Sequence, residues 1–245
     1  MKKISPAFRR ASHAYPAYRT GRRQASPNQR VVLALLFSSI VSGALFVGRM
    51  THYDTWQYWF LNWNLLLAWL PLVFAWQLHK RLNKGSSLGW QNVVLGLLWL
   101  GFLPNSFYIS SDLIHLQTSA ASNILYDTVM LLSFSINGYL LGLTSIFIVH
   151  RQFVKRLKVI NAHILVASVL LLCSFAIYLG RYLRWNTWDV LINPAGLLFD
   201  VSDRILNPSS HPQTFVTTLS FFALLGSIYV VVWQMAKAFE QKQHP

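Results

Sequence analysis

Four polar residues, Asn105, Tyr108, Asp112 and His115, recur at spacings of three, four and three. On an α-helix such spacing puts them on one face, while Phe107, Leu113 and Ile114 turn the other way. Asn, Tyr, Asp and His are not the Lys, Glu and Gln mixture that merely solvates a surface, and the run from Leu103 to Leu116 holds no Lys or Arg. Asp112 and His115 could share one divalent metal ion, or His115 could be a general base oriented by the carboxylate. Two ligands fall short of the three that a zinc site requires, and His52, Asp127 and His211 are the donors available to complete one. Asp127 opens a later apolar run. An unpaired Asp at the centre of a membrane helix costs about 2.5–3.5 kcal/mol and less near the boundary, so a partner is expected. Asp127 is then either a boundary residue reaching water or a second carboxylate facing Asp112, one of the pair having a raised pKa or both sharing a cation. Asp112, His115 and Asp127 are the catalytic candidates, with Asp112 and His115 the metal candidates.

A second segment, Gly180 to Pro194, carries Arg181 and Arg184. As i,i+3 neighbours on a continuing helix they would point to one side, a fork suited to carboxylate or phosphate. The alternative is that they snorkel to headgroups or pair with Asp112, Asp127 or Asp189. Asn186, Asp189 and Asn193 repeat at three and four, and Pro194 ends any helix there. The substrate-binding candidates are therefore Asn105, Tyr108, Arg181, Arg184, Asn186 and Asp189. Further on, Asp200, Asp203 and Arg204 stand on an apolar background and read as solvated charges of an amphipathic helix.

These groups need elements to hold them, and composition says which. The chain of 245 residues is 54% hydrophobic and 11% charged, with a mean hydropathy of +0.39, too apolar for a soluble domain. Six charge-free stretches, at 31–48, 60–78, 88–103, 128–149, 159–180 and 214–236, approach the roughly 20 residues a helix needs to cross hydrocarbon. The third is short, so it recruits Ser86 and Ser87 or ends in irregular backbone at Pro104. Pro71 marks a kink in the second, and Gly138 and Gly142 suit close packing in the fourth. Trp56, Trp59, Trp185 and Trp188 fall at span boundaries, where amphipathic rings settle.

All but four of the 21 Lys and Arg lie in residues 1–30, 79–87, 150–158 and the C-terminal tail. The alternate loops hold Arg49, Arg181, Arg184 and Arg204 together with all but one of the seven acidic residues. Under the positive-inside rule both termini are cytoplasmic. The expected fold is thus an all-α polytopic membrane bundle of six transmembrane helices with short amphipathic interfacial helices on the outer face. Its expected parts are a disordered basic cytoplasmic arm over 1–30, a membrane domain over 31–236 and a cytoplasmic tail over 237–245. Because the basic residues flank apolar runs, orientation in the bilayer explains them and nucleic acid is not a partner. The lone Cys173 can form neither an intrachain disulfide nor a Cys-based zinc site. His163 is expected to hydrogen-bond between helices.

Both polar segments carry a resemblance. The chain resembles a family of bacterial multi-pass membrane proteins classed only as a domain of unknown function. Its marks stand here as Leu103, Pro104, Asn105, Tyr108, Asp112, Leu113, His115 and Leu116, and as Gly180, Arg181, Leu183, Arg184, Asn186, Trp188 and Asp189. The resemblance covers roughly residues 31–236. It implies a bacterial cytoplasmic-membrane protein without an established activity, with both segments belonging to one site.

Three functions remain open. A metal- or acid/base-dependent enzyme would use Asp112, His115 and Asp127 on an anionic lipid-linked or cell-envelope substrate held by Arg181 and Arg184. A structural or accessory subunit would use Arg–Asp pairs to lock its outer loops. A transporter or binding protein would need polar groups near the bilayer midplane, where Ser133, Ser135 and Asn137 are the candidates, and no internal repeat supports it.

Overall fold

The computed structural model describes residues 27–53, 56–85, 89–119 and 123–241. The chain divides into two units, Met1–Ala34 and Leu35–Pro245. Of the first, residues 27–34 are described, and they are the opening turns of helix α1 (Pro27–Tyr53). The helix therefore begins inside the stretch expected to be a disordered arm, since proline's fixed φ and missing N–H suit a first turn. Residues 1–26 of that arm lie outside the described residues.

The second unit holds the rest of α1, then α2 (Phe60–Asn83), α3 (Trp90–Tyr108), α4 (Ile124–Arg156), α5 (Val159–Tyr182), the short α6 (Asp189–Ile192), α7 (Pro194–Leu206) and α8 (Pro212–Gln241). No strand occurs among the described residues. Six helical segments are long and apolar enough to cross a membrane: Gln29–His52, Phe60–Asn83, Trp90–Gln117, Ile124–Arg156, Val159–Tyr182 and Pro212–Phe239. In hydrocarbon every backbone N–H and C=O must be satisfied within its own segment, so an apolar run of this length becomes a helix. The protein is all-α and multi-pass, and Phe37, Ile40, Leu97, Ile136, Ile164 and Val216 are exposed apolar side chains on these helices, consistent with a bilayer around them.

The third span departs from expectation. It does not break at Pro104: α3 passes through that residue and continues as a 3₁₀ helix over Ile109–Thr118. Proline inside a membrane helix removes one donor and is tolerated where neighbouring groups re-satisfy the backbone. Ser110 and Ser111 explain the tightening at the junction. Their hydroxyls donate to the Phe107 and Tyr108 carbonyls three residues back, at 2.7 and 2.6 Å, competing with the α-helical ladder. Ser86 and Ser87 lie outside the described residues, and α3 opens at Trp90 after Gly89. At the other terminus α8 runs to Gln241, so residues 237–241 of the expected tail continue that helix.

α4 is the central element, 33 residues long, and contributes to both apolar cores. One core gathers Trp99, Leu103 and Phe107 of α3 with Ile146, Leu170, Ile177, Leu225 and Trp233. The other gathers Leu61, Leu65 and Leu72 of α2 with Phe46, Ile109, Met130, Leu131 and Phe134. Gly138 and Gly142 allow α3 to lie against α4. A Cβ at Gly138 would overlap the Ser106 carbonyl, and one at Gly142 would come within 2.7 Å of the Phe107 ring. Of the midplane candidates, Asn137 donates to Ser39 of α1 at 3.0 Å while its buried Oδ1 has no partner among the described residues, and Ser135 and Ser133 donate to the Leu131 and Met130 carbonyls of their own helix. His163 bonds its own helix at the Val159 carbonyl, 2.7 Å away, and among the described residues meets other helices through ring contacts with His150 and Trp233.

Candidate functional site

The 3₁₀ helix after α3 places the first polar segment against the end of α5. Asp112 is 2% exposed, and its two carboxylate oxygens have different partners. Oδ1 accepts from Arg181 Nη2, and Oδ2 accepts from Asn64 Nδ2 of α2 at 3.1 Å. The Arg181 guanidinium also donates through Nε and Nη2 to Ser111 Oγ, at 3.0 and 2.6 Å, and lies 4.8 Å from the centre of the Tyr108 ring. The Tyr108 ring packs on Gly180, where a Cβ would approach it to 2.9 Å. One turn earlier, Asn105 donates to Thr187 Oγ1 at 3.1 Å. Asn105, Tyr108 and Asp112 of the first segment thus meet Gly180, Arg181 and Thr187 of the second.

The remaining candidates make other contacts. His115 packs its ring on Phe60 with centroids 5.1 Å apart. Asp127 does not face Asp112. It is fully buried at the start of α4, where Arg49 Nε reaches Oδ1 at 2.5 Å, Arg49 Nη2 reaches Oδ2 at 3.3 Å, and Tyr58 and Ser119 also donate to Oδ2. The first turn of a helix favours a carboxylate, and an arginine from α1 completes its neutralisation. Burial and the Asp127 charge push the Tyr58 phenol above its ordinary pKa, so it stays a donor.

The two-arginine fork is also corrected. α5 ends at Tyr182, and Arg184 stands at φ 60, a left-handed conformation that turns the chain away from the helix. The Leu183 and Trp185 N–H groups both return to the Leu179 carbonyl, at 3.1 and 3.2 Å. Arg184 is exposed, without hydrogen bond or ion pair among the described residues, whereas Arg181 is committed to Asp112. Asn186 and Asp189 close a local turn: the Asn186 N–H donates to Asp189 Oδ2 at 2.6 Å.

The Asp200, Asp203 and Arg204 group is not simply solvated. Arg204 is 9% exposed and pairs with Asp200 at 3.2 Å and Asp203 at 3.6 Å. Trp185 Nε1 donates to Asp200 at 2.7 Å, tying the second segment to α7. Asp203 also accepts from Asn207 and His211, and those bonds, Asn207 first, hold its carboxyl below its ordinary pKa. Asn193 caps α7 by accepting from the Gly196 N–H at 3.1 Å, with Pro194 following it.

Among the described residues no three His, Cys, Asp or Glu side chains come together as a metal site would require. A cleft of about 170 Å³ adjoins the Asp112–Arg181 pair, lined by Ser111, Arg181, Tyr182 and Thr217 on a floor of Ile177 and Phe221. Arg49, Tyr58, Asn64, Ser111 and Thr187 were not singled out as site residues by sequence. Arg49 did carry a signal, as one of the few arginines among the acids.

No curated protein and no solved structure is matched by the chain. A family model described as Protein of unknown function (DUF1361) matches residues 63–228, a stretch that contains both polar segments and most of the 245 residues. The chain therefore belongs to this family of unknown function, as a membrane protein with six apolar helices.

Proposed function

We propose that the chain is a structural or accessory membrane subunit whose outer loops are locked by Arg–Asp pairs, set in a bacterial cytoplasmic membrane with both termini in the cytoplasm. The observation that carries this reading is the use of the arginines on the acid-rich end of the unit. Arg49 pairs with Asp127, Arg181 with Asp112, and Arg204 with Asp200 and Asp203. A carboxylate that is to bind metal or move a proton must be open to its ligand, whereas Asp112 is 2% exposed and has each oxygen accepting from a protein donor. Removing one partner of such a buried pair strands the other charge and costs about 3–5 kcal/mol. The charge count supports the orientation, and α7, with Leu198, Phe199, Ile205 and Leu206 exposed opposite its acids, suits the outer membrane interface.

A second reading is favoured by the cleft beside Ser111 and Arg181. In it Asp112 and His115 serve an enzyme acting on an anionic lipid-linked or envelope substrate that meets Arg181 in the cleft, Asp127 being buried apart from them against Arg49. One set of variants separates the two. Under the structural reading, Asp112→Ala and Arg181→Ala each lower the thermal midpoint in mild detergent, the exchanged pair Asp112→Arg with Arg181→Asp recovers part of the loss, and no metal or lipid follows these residues. An Asp112→Asn protein as stable as wild type, yet stripped of a metal or anionic lipid that wild type carries, overturns it.

A further inference from the structure

A second cleft opens at the opposite end of the unit, between α4 and α8. Its volume is about 210 Å³, and it is lined by Phe147, Arg151, Val154 and Lys155 of α4 and by Trp233 and Lys237 of α8. The α4 residues follow at spacings of four, three and one, and the α8 residues at four, so each wall is one helix face. Aromatic contacts join the walls: Phe147 meets Trp233 with centroids 5.5 Å apart, and Trp233 stacks on the His150 ring at 4.0 Å. The His150 Nδ1 is 2.7 Å from the Tyr229 hydroxyl, which fixes that ring from below.

Three cations surround this floor. The Lys237 ammonium lies 5.2 Å from the Trp233 ring centre and the Arg151 guanidinium 5.7 Å from that of Phe147. Among the described residues no Asp or Glu lines the cleft, and neither Lys155 nor Lys237 forms an ion pair. Trp233 is 7% exposed, and its indole N–H has no hydrogen-bond partner among the described residues. A buried donor left unpaired has lost its water without a replacement. An anion with several acceptor oxygens answers both conditions, because it neutralises converging like charges and gives the indole an acceptor. The positive-inside rule accounts for Lys and Arg at this end, but not for their convergence on an aromatic floor that holds an unpaired donor.

We propose that this cleft binds the phosphate headgroup of an anionic membrane lipid, with Arg151, Lys155 and Lys237 around the phosphate and the Trp233 N–H as a further donor. A lipid fits better than free phosphate because Val230, three residues before Trp233 and so on the same face of α8, is exposed apolar surface along which an acyl chain can lie. The site is independent of the function proposed for the acidic end.

The test uses the full chain in a neutral detergent, with thermal unfolding followed against short-chain phosphatidylglycerol, short-chain phosphatidylcholine and inorganic phosphate. Phosphatidylglycerol should raise the midpoint in a saturable way while the other two leave it unchanged. Lys155→Ala with Lys237→Ala should weaken its apparent affinity about tenfold or more, given the strength of hydrogen bonds to charged groups. Trp233→Phe, which keeps a ring and removes the N–H, should weaken it by a smaller factor. Lys84→Ala with Lys158→Ala removes the same charge elsewhere and should change nothing. Lys237→Gln alone provides the same comparison if the double variant does not fold. Equal stabilisation by phosphatidylcholine, or an equal loss in the Lys84 and Lys158 control, overturns the proposal; equal stabilisation by phosphate overturns the lipid assignment.

Discussion

Arg184 resembles half of an anion-binding fork in the sequence, yet its backbone makes it the pivot of a turn. A non-glycine residue in the left-handed region loses roughly 1 kcal/mol relative to glycine. If its role is confined to that turn, Arg184→Gly should raise the thermal midpoint; a lowered midpoint would mean that the guanidinium holds something the turn alone does not require. The contrast with Arg181 shows how far sequence reaches at this scale. The spacing of Asn105, Tyr108 and Asp112 is visible along the chain, and so is the need for a partner at Asp127. Which arginine answers which acid is not visible: Arg49 and Asp127 are 78 residues apart, and only packing of α1 on the start of α4 selects that pair over the alternatives. Asn64 is less legible still, because Asn62 and Asn64 stand two apart in α2, on different faces, and set no helical period that marks the functional one.

At the scale of elements, the clearest joint is α3 against α4. The Ser106 carbonyl occupies the space where a side chain at Gly138 would begin. Gly138→Ala should therefore destabilise the protein by about 1–3 kcal/mol or more, although alanine is ordinarily the better helix former. Unfolding in a graded denaturing detergent measures this, and a neutral or stabilising result would mean that the two helices are farther apart. The apolar runs announced the number of spans, since twenty uncharged residues have few other fates. Their ends were less legible. Pro104 looks like a terminator when the chain is read alone, but a helix inside a bundle can lose one donor and continue, and the serine back-bonds that tighten the next ten residues depend on local geometry.

At the scale of the molecule, the proposed orientation has a direct test. With the buried Cys173 replaced by alanine, a cysteine at Ser210 should react with a membrane-impermeant maleimide added to intact cells, and one at Lys158 should react only after the membrane is opened. The reverse pattern would invert the proposed topology. Both substituted positions are exposed, so a failure to label cannot be attributed to burial. The family membership and the six apolar helices stand under either outcome.

The two buried ion pairs carry a consequence for how this chain is made. Their members are separated by 78 and 69 residues, so a ribosome adding about 5–20 residues per second delivers each second charge several seconds after the first. During that interval Arg49 and Asp112 have been synthesised and their counter-charges have not. A temporary escort, whether headgroup, water or insertion machinery, must shelter each of them, and the nascent acidic end stays plastic until Arg181 emerges.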